Sequence, residues 1–362
     1  MKGILRKLVE RVVRGCARLQ CHILRRTVKW HYLLLLTQAC KAAEDEAMSI
    51  SFRLKPKNPS EIPCLNLNKN GEEKTAIILQ GPVRHEDEFT LKTVQFYRQA
   101  YPDAYVIVST WKDEDAECIK KLKSAGAMVV LNEKPAYGGH LNVNYQLVST
   151  RGGIDKAREL KAAYVAKTRT DQRICRQGVL PYMMNLIKTY EPIDSSKQTM
   201  RLVALSMNYG KLFSPYFMSD FFYFGSLEEV EAVFSVPLDA REPFKLPEGS
   251  TKREHSRVMY APEIYLMKNY LVSKGCSGDD SIKDYWEGVQ KYLVCVDIKT
   301  LDIAWPKYDE HYQYNAFAGE FFLDDSWEKL KTMNFDFINW FNLYTGAINY
   351  HYEYEKYADA RF

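Results

Sequence analysis

Residues 76–82 read Ala76-Ile77-Ile78-Leu79-Gln80-Gly81-Pro82. An apolar run closed by glutamine and a Gly-Pro pair describes a strand buried on both faces, its C-terminal end opening into a loop. Phe89, Val94, Phe96 and Tyr97 supply the apolar residues of a helix that Tyr101-Pro102-Asp103 ends, and Tyr105-Val-Ile-Val-Ser109 is a second buried strand. The pattern repeats with a helix over 114–124, a turn at Ala125-Gly126 and a strand over 128–131. A long loop, 132–144, leads to a helical segment ending near Ala162 and to the strand Tyr164-Val-Ala-Lys-Thr168. Further strands are expected over 202–206 and 221–224, the latter ahead of a helix over 227–234. Strands alternating with helices predict an α/β fold with a mainly parallel sheet that presents its ligands beyond the strands' C-terminal ends.

The 362 residues, 46% hydrophobic and 27% charged, suit a foldable globular chain. Residues 1–48 hold ten Lys/Arg against four Asp/Glu, which leaves 40 against 42 in the rest. Basicity is thus an N-terminal property, and the body lacks the charge of a nucleic-acid binder. The eight cysteines are scattered, without zinc-type spacing, and read as reduced thiols of a cytoplasmic protein.

At 100° per residue, Lys7, Arg11, Arg14, Arg18, Arg25 and Lys29 share a narrow arc opposite Leu5, Leu8, Val12, Leu19, Ile23 and Trp30. The expectation is a basic amphipathic helix within residues 1–46 that lies on an anionic membrane surface. Its apolar runs fall far short of the ~20 residues that span a bilayer. The same stripe could instead dock on the domain; a transit peptide is disfavoured because no serine precedes Ser49. Residues 47–74, with Pro56, Pro59, Pro63 and the turn-like Asn68-Lys-Asn-Gly71, read as a linker. A catalytic domain is expected over 75–300, and an aromatic-rich extension packing on it over 301–362.

Asp171 follows the strand 164–168 directly, where a parallel sheet presents ligands, and one carboxylate plus substrate phosphates can hold Mg²⁺ or Mn²⁺. Lys167 and Arg169 flank it as candidate phosphate contacts. Asp220, ahead of Phe221-Phe-Tyr-Phe224, is a candidate general base or second metal ligand. Glu263 follows Ala261-Pro262 at a helix start, a candidate catalytic carboxylate that could equally serve the helix dipole. The chain has no G-x-x-x-x-G-K-[ST], G-x-G-x-x-G or G-x-S-x-G, so P-loop, dinucleotide and serine-hydrolase readings lack their motifs.

Ile78-Leu-Gln-Gly-Pro82, Val108-Ser-Thr-Trp111, Asn142-Val-Asn144 with Gln146, Gly153, Tyr164-Val-Ala-Lys167 with Arg169-Thr-Asp171, and Ser219-Asp-Phe-Phe-Tyr-Phe-Gly225 stand in an order that resembles the WavE lipopolysaccharide synthesis family over roughly residues 75–270. The resemblance implies a GT-A-like glycosyltransferase with a nucleotide-sugar donor and a bacterial surface-glycan or glycolipid acceptor, peripheral on the cytoplasmic face of the membrane. Gln80, Gly81 and Pro82 would line the nucleotide pocket with Ser109, Thr110 and Trp111 nearby. Asn144 and Gln146 would approach the sugar or diphosphate, and Asp171 would take a divalent cation, Mn²⁺ or Mg²⁺. Competing expectations are transfer of another activated group, or a non-catalytic α/β scaffold of an envelope-assembly complex.

Overall fold

The computed structural model describes residues 34, 37–38, 41–42, 64–65, 74–206, 211–306 and 335–361. The chain divides into a unit Met1–Leu54 and a unit Lys55–Phe362. In the first, residues 34, 37, 38, 41 and 42 are helical. The basic stripe and most of the 47–74 stretch lie outside the described residues. Among the described residues, no helix is long and apolar enough to cross a membrane.

The second unit is built on a seven-stranded sheet. Its strands are β1 (Thr75–Gln80), β2 (Tyr105–Trp111), β3 (Met128–Asn132), β4 (Tyr164–Arg169), β6 (Leu202–Ser206), β7 (Tyr223–Ser226) and β8 (Leu293–Asp297), in the order β3-β2-β1-β4-β7-β6-β8. Every residue of β1 is buried, as its unbroken apolar run requires of a central strand covered on both faces. Parallel pairing sets Gln80 opposite Ser109 on β2 and Arg169 on β4, so the loops leaving these strands meet at one edge.

β7 is the exception to the parallel run. It pairs antiparallel with both β4 and β6, with Tyr223 opposite Lys167. An antiparallel strand brings the residues before it, not those after it, to the edge where its neighbours end. Phe221 and Phe222, expected in this strand, are buried ahead of it, and the ladder begins at Tyr223. A two-stranded ribbon pairs β5 (Arg173–Ile174) with β9 (Ile303–Ala304), so residues of the C-terminal stretch join directly onto the chain leaving β4.

The helices are α1 (Phe89–Ala100), α2 (Ala116–Ser124), α3 (Val143–Glu159), α4 (Val179–Thr189), α5 (Leu227–Phe234), α6 (Lys252–Arg257), α7 (Pro262–Ser273), α8 (Ile282–Tyr292), α9 (Ile298–Leu301), α10 (Phe337–Tyr344) and α11 (Glu355–Ala358). α2 begins two residues later than the periodicity predicts, because the Asp115 carboxylate accepts the Cys118 N–H at 2.7 Å and caps it. α3 packs on β1, β2 and β3. A Cβ on Gly153 would stand 2.4 Å from Ile78 Cγ2, and one on Gly152 would stand 2.0 Å from the Asn132 side chain. Only hydrogen at these two positions lets the helix sit at that depth.

Candidate active site

The strand ends open into a cleft of about 1050 Å³. Gln80, Gly81 and Pro82 from the β1 exit, Trp111 from β2, and Arg169, Thr170 and Asp171 from the β4 exit line it. Gln146 and Tyr145 come from α3, Asp220 and Phe221 from the approach to β7, Glu263 from the first turn of α7, and Trp305 from beyond β9. The sequence-predicted carboxylates Asp171, Asp220 and Glu263 therefore share one cavity.

The β1 and β4 exits are tied together. Gly81, with φ of +110° that suits glycine, donates its N–H to the Ser109 carbonyl at 3.0 Å. The Thr170 hydroxyl donates to the Pro82 carbonyl at 2.6 Å, and the Ser149 hydroxyl donates to Gln80 Oε1 at 2.8 Å. These buried bonds give the cleft floor a fixed backbone.

Asp171 is held by its neighbour: Arg169 Nε and Nη2 donate to its two carboxylate oxygens at 2.9 and 3.1 Å. The same guanidinium lies over the Trp305 ring, 5.5 Å from its centroid. A cation at Asp171 thus competes with Arg169. Among the described residues no pair of further His, Cys, Asp or Glu ligand atoms gathers with Asp171 around a common point. The donor set fits an ion of the Mg²⁺ or Mn²⁺ kind that takes one carboxylate and completes its shell with phosphate oxygens and water.

Asp220 is positioned through its backbone. Its carbonyl accepts from Lys167 Nζ at 2.6 Å and from Gln146 Nε2 at 3.0 Å, both from buried side chains. Burial pushes the Lys167 ammonium down to about 7, against the raising effect of Asp220. Glu263 keeps part of its surface open to the cleft yet is walled in by protein. That desolvation, reinforced by the Asp220 charge, pushes its carboxyl up to about 8. At neutral pH Glu263 therefore keeps its proton and can donate a hydrogen bond.

Four expected contact residues do not line the cleft: Ser109, Thr110, Asn144 and Lys167. Ser109 and Thr110 are fully buried, with the Ser109 hydroxyl and Thr110 carbonyl accepting from Asn132 Nδ2. Asn144 spends its amide inside the protein, donating to the Tyr137 and Asp239 carbonyls and accepting the Asp239 N–H at 2.7 Å. It anchors the 137–144 loop instead of facing the cavity. Lys167 shares the face of β4 that Arg169 takes, but it stands two residues deeper in the strand, and its ammonium is used on the Asp220 carbonyl.

Several lining residues escaped the reading of the sequence, among them Arg84, Lys134, Phe217 and Trp305. Tyr145 meets Trp111 edge-on, with ring centroids 5.6 Å apart. Trp305 is one of many aromatics in the C-terminal stretch, and no local pattern separates it from them; the β5–β9 pairing carries it in. Arg84, two residues past Gly81-Pro82 in a strand-exit loop, was the one with a usable signal.

A family model described as WavE lipopolysaccharide synthesis matches residues 75–358. No curated protein matches the sequence. Among solved structures, a mycobacterial protein is 13% identical, with 57% of this chain and 76% of that chain covered at a TM-score of 0.31. Core-mannan synthase A from Aspergillus fumigatus, in an Mn/GDP form, is 8% identical, with coverages of 72% and 83% and a TM-score of 0.30.

Proposed function

The chain belongs to the WavE lipopolysaccharide synthesis family, and from that premise we propose that it is a nucleotide-sugar-dependent glycosyltransferase of GT-A type acting on a lipopolysaccharide or capsule-type glycan. The observation that carries the reading is the meeting of Asp171, Asp220 and Glu263 with Gln80, Gly81, Trp111 and Arg169 in one strand-end cleft. Its volume is at the upper end of the ~300–1,000 Å³ typical of ligand pockets, enough for a nucleotide sugar beside part of an acceptor.

In this reading Gln80, Gly81, Pro82 and Trp111 form the donor wall. A divalent ion held by Asp171 with the donor's phosphate oxygens would offset the charge of the departing diphosphate. Arg169, once released from Asp171, can meet a phosphate oxygen in bidentate fashion. Asp220 is the general base: the acceptor hydroxyl oxygen bonds to the anomeric carbon, the bond to the diphosphate oxygen breaks, and the hydroxyl proton passes to the Asp220 carboxylate. Lys167 and Gln146 act as positioning residues through the Asp220 carbonyl. Glu263, protonated at neutral pH, donates within the site and spares the incoming diphosphate a third negative neighbour.

The basic N-terminal segment, by its sequence, suits a peripheral position on the cytoplasmic membrane face, where a lipid-linked acceptor is presented. Thermal shift tests the donor site: at least one nucleoside diphosphate should raise Tm, and more so with Mn²⁺. No shift with any nucleotide, together with no turnover of any nucleotide sugar, would sink the reading in favour of a scaffold.

A further inference from the structure

Beside the cleft, on the outer side of the β1–α1 loop, His85, Glu114 and Cys118 bring an imidazole nitrogen, a carboxylate oxygen and a thiol sulfur within 4.8 Å of one another. Three unconnected features of the chain produce this grouping. His85 rides on the loop leaving β1, Glu114 precedes the α2 cap, and Cys118 sits in the first turn of α2.

Glu114 is pre-set: its Oε2 accepts the Val83 N–H at 3.2 Å, and its Oε1 accepts from Asp115 N–H at 3.1 Å and contacts His85 Nε2 at 2.9 Å. The carboxylate therefore bridges the β1 exit to the α2 start. A small cavity of about 180 Å³, lined in part by His85, Asp115 and Cys118, separates the two elements. Glu88 and Glu117 stand in its walls with Arg84 and Lys121. Burial, with the Glu114 and Asp115 charges nearby, pushes the Cys118 thiol up, so a metal ion bound there must displace its proton.

We propose that His85, Glu114 and Cys118 form a transition-metal site of Zn²⁺ type, distinct from the carboxylate site at Asp171. One nitrogen, one sulfur and one oxygen donor suit the borderline-soft Zn²⁺, whereas Mg²⁺ and Mn²⁺ prefer oxygen alone. Three protein ligands leave a fourth position to water. His85 also lines the main cleft, so an ion here clamps the β1–α1 loop to α2 and steadies the wall that Gly81 and Pro82 contribute.

Cobalt is the probe, because a Co²⁺–thiolate bond has its own charge-transfer absorption and carboxylate sites give none. The full chain, stripped with a chelator, should develop this band on titration with Co²⁺, saturating near one equivalent, and lose it when Zn²⁺ is added. Cys118→Ser should abolish the band, and His85→Ala or Glu114→Gln should weaken Co²⁺ binding at least ~10-fold. Cys64→Ser should leave it unchanged, and circular dichroism should show every variant folded as wild type. A wild-type chain with no band, a band that survives Cys118→Ser, or an affinity indifferent to His85→Ala would each overturn the assignment.

Discussion

Asp171 and Asp220 are carboxylates of one cleft, but they answer to different neighbours. Both oxygens of Asp171 accept from Arg169, so Asp171→Asn leaves the volume intact while weakening the one ligand offered to a donor-bound cation. Transfer should fall at least ~100-fold with the fold retained, and Mn²⁺ should no longer increase the thermal shift given by nucleotide. Asp220→Asn should lose transfer to a similar degree yet keep nucleotide and Mn²⁺ binding. Near-wild-type transfer by Asp171→Asn at saturating donor and acceptor would remove the metal role. Glu263 makes a separate, pH-dependent prediction. Its native carboxyl stands at about 8, above the ordinary 4.5, so between those values the folded chain holds a proton that the unfolded chain has released. Stability contributed by this group is full below the ordinary value and is lost as pH rises through the native one. Glu263→Gln removes that slope: its Tm advantage over wild type should widen from about pH 5 to about pH 8, measured in matched buffers. A constant difference across that range would show that Glu263 does not hold the raised proton.

At the scale of elements, the cleft depends on how closely α3 approaches the sheet. Gly153→Ala would drive its Cβ against Ile78 Cγ2, 2.4 Å away in the present packing. Overpacking of this kind costs about 1–3 kcal/mol, more than the ~1 kcal/mol of helix propensity that alanine restores. The expected outcome is a lower urea midpoint at unchanged m-value and weaker nucleotide binding, since α3 also carries Tyr145 and Gln146 into the site. A gain in stability would mean the helix can lift without cost. The apolar runs of β1, β2 and β4 were legible because strands covered on both faces leave no polar alternation. The roles of Asn144 and Lys167 were not legible: Asn144 bonds to Asp239, 95 residues away, and Lys167 to Asp220, 53 away. Residue type and neighbouring sequence carry no trace of such partners.

For the whole molecule, the sheet and the cleft are built from residues 75 onward, so removal of residues 1–36 should leave the second unit folded and its nucleotide response intact. Binding to anionic vesicles should be lost with the deletion, and reversing the charges of Arg11, Arg14 and Arg18 should weaken it in a salt-sensitive way. Vesicle binding that survives the deletion would move membrane attachment elsewhere on the chain. The amino-acid sequence by itself determined the α/β class, the strands of the parallel half, the start of α7 and the placement of Asp171 at a strand end, because buried strands, proline and strand-terminal residues leave local signatures. Only the tertiary structure decided that β7 runs against β4 and so delivers Asp220 to the edge where Asp171 stands. It likewise decided that β9 brings Trp305 beside Arg169, and that Glu263 is desolvated beside a second carboxylate. Strand direction, register and desolvation arise from contacts between segments far apart in the chain, and those exist only once the sheet has closed around them.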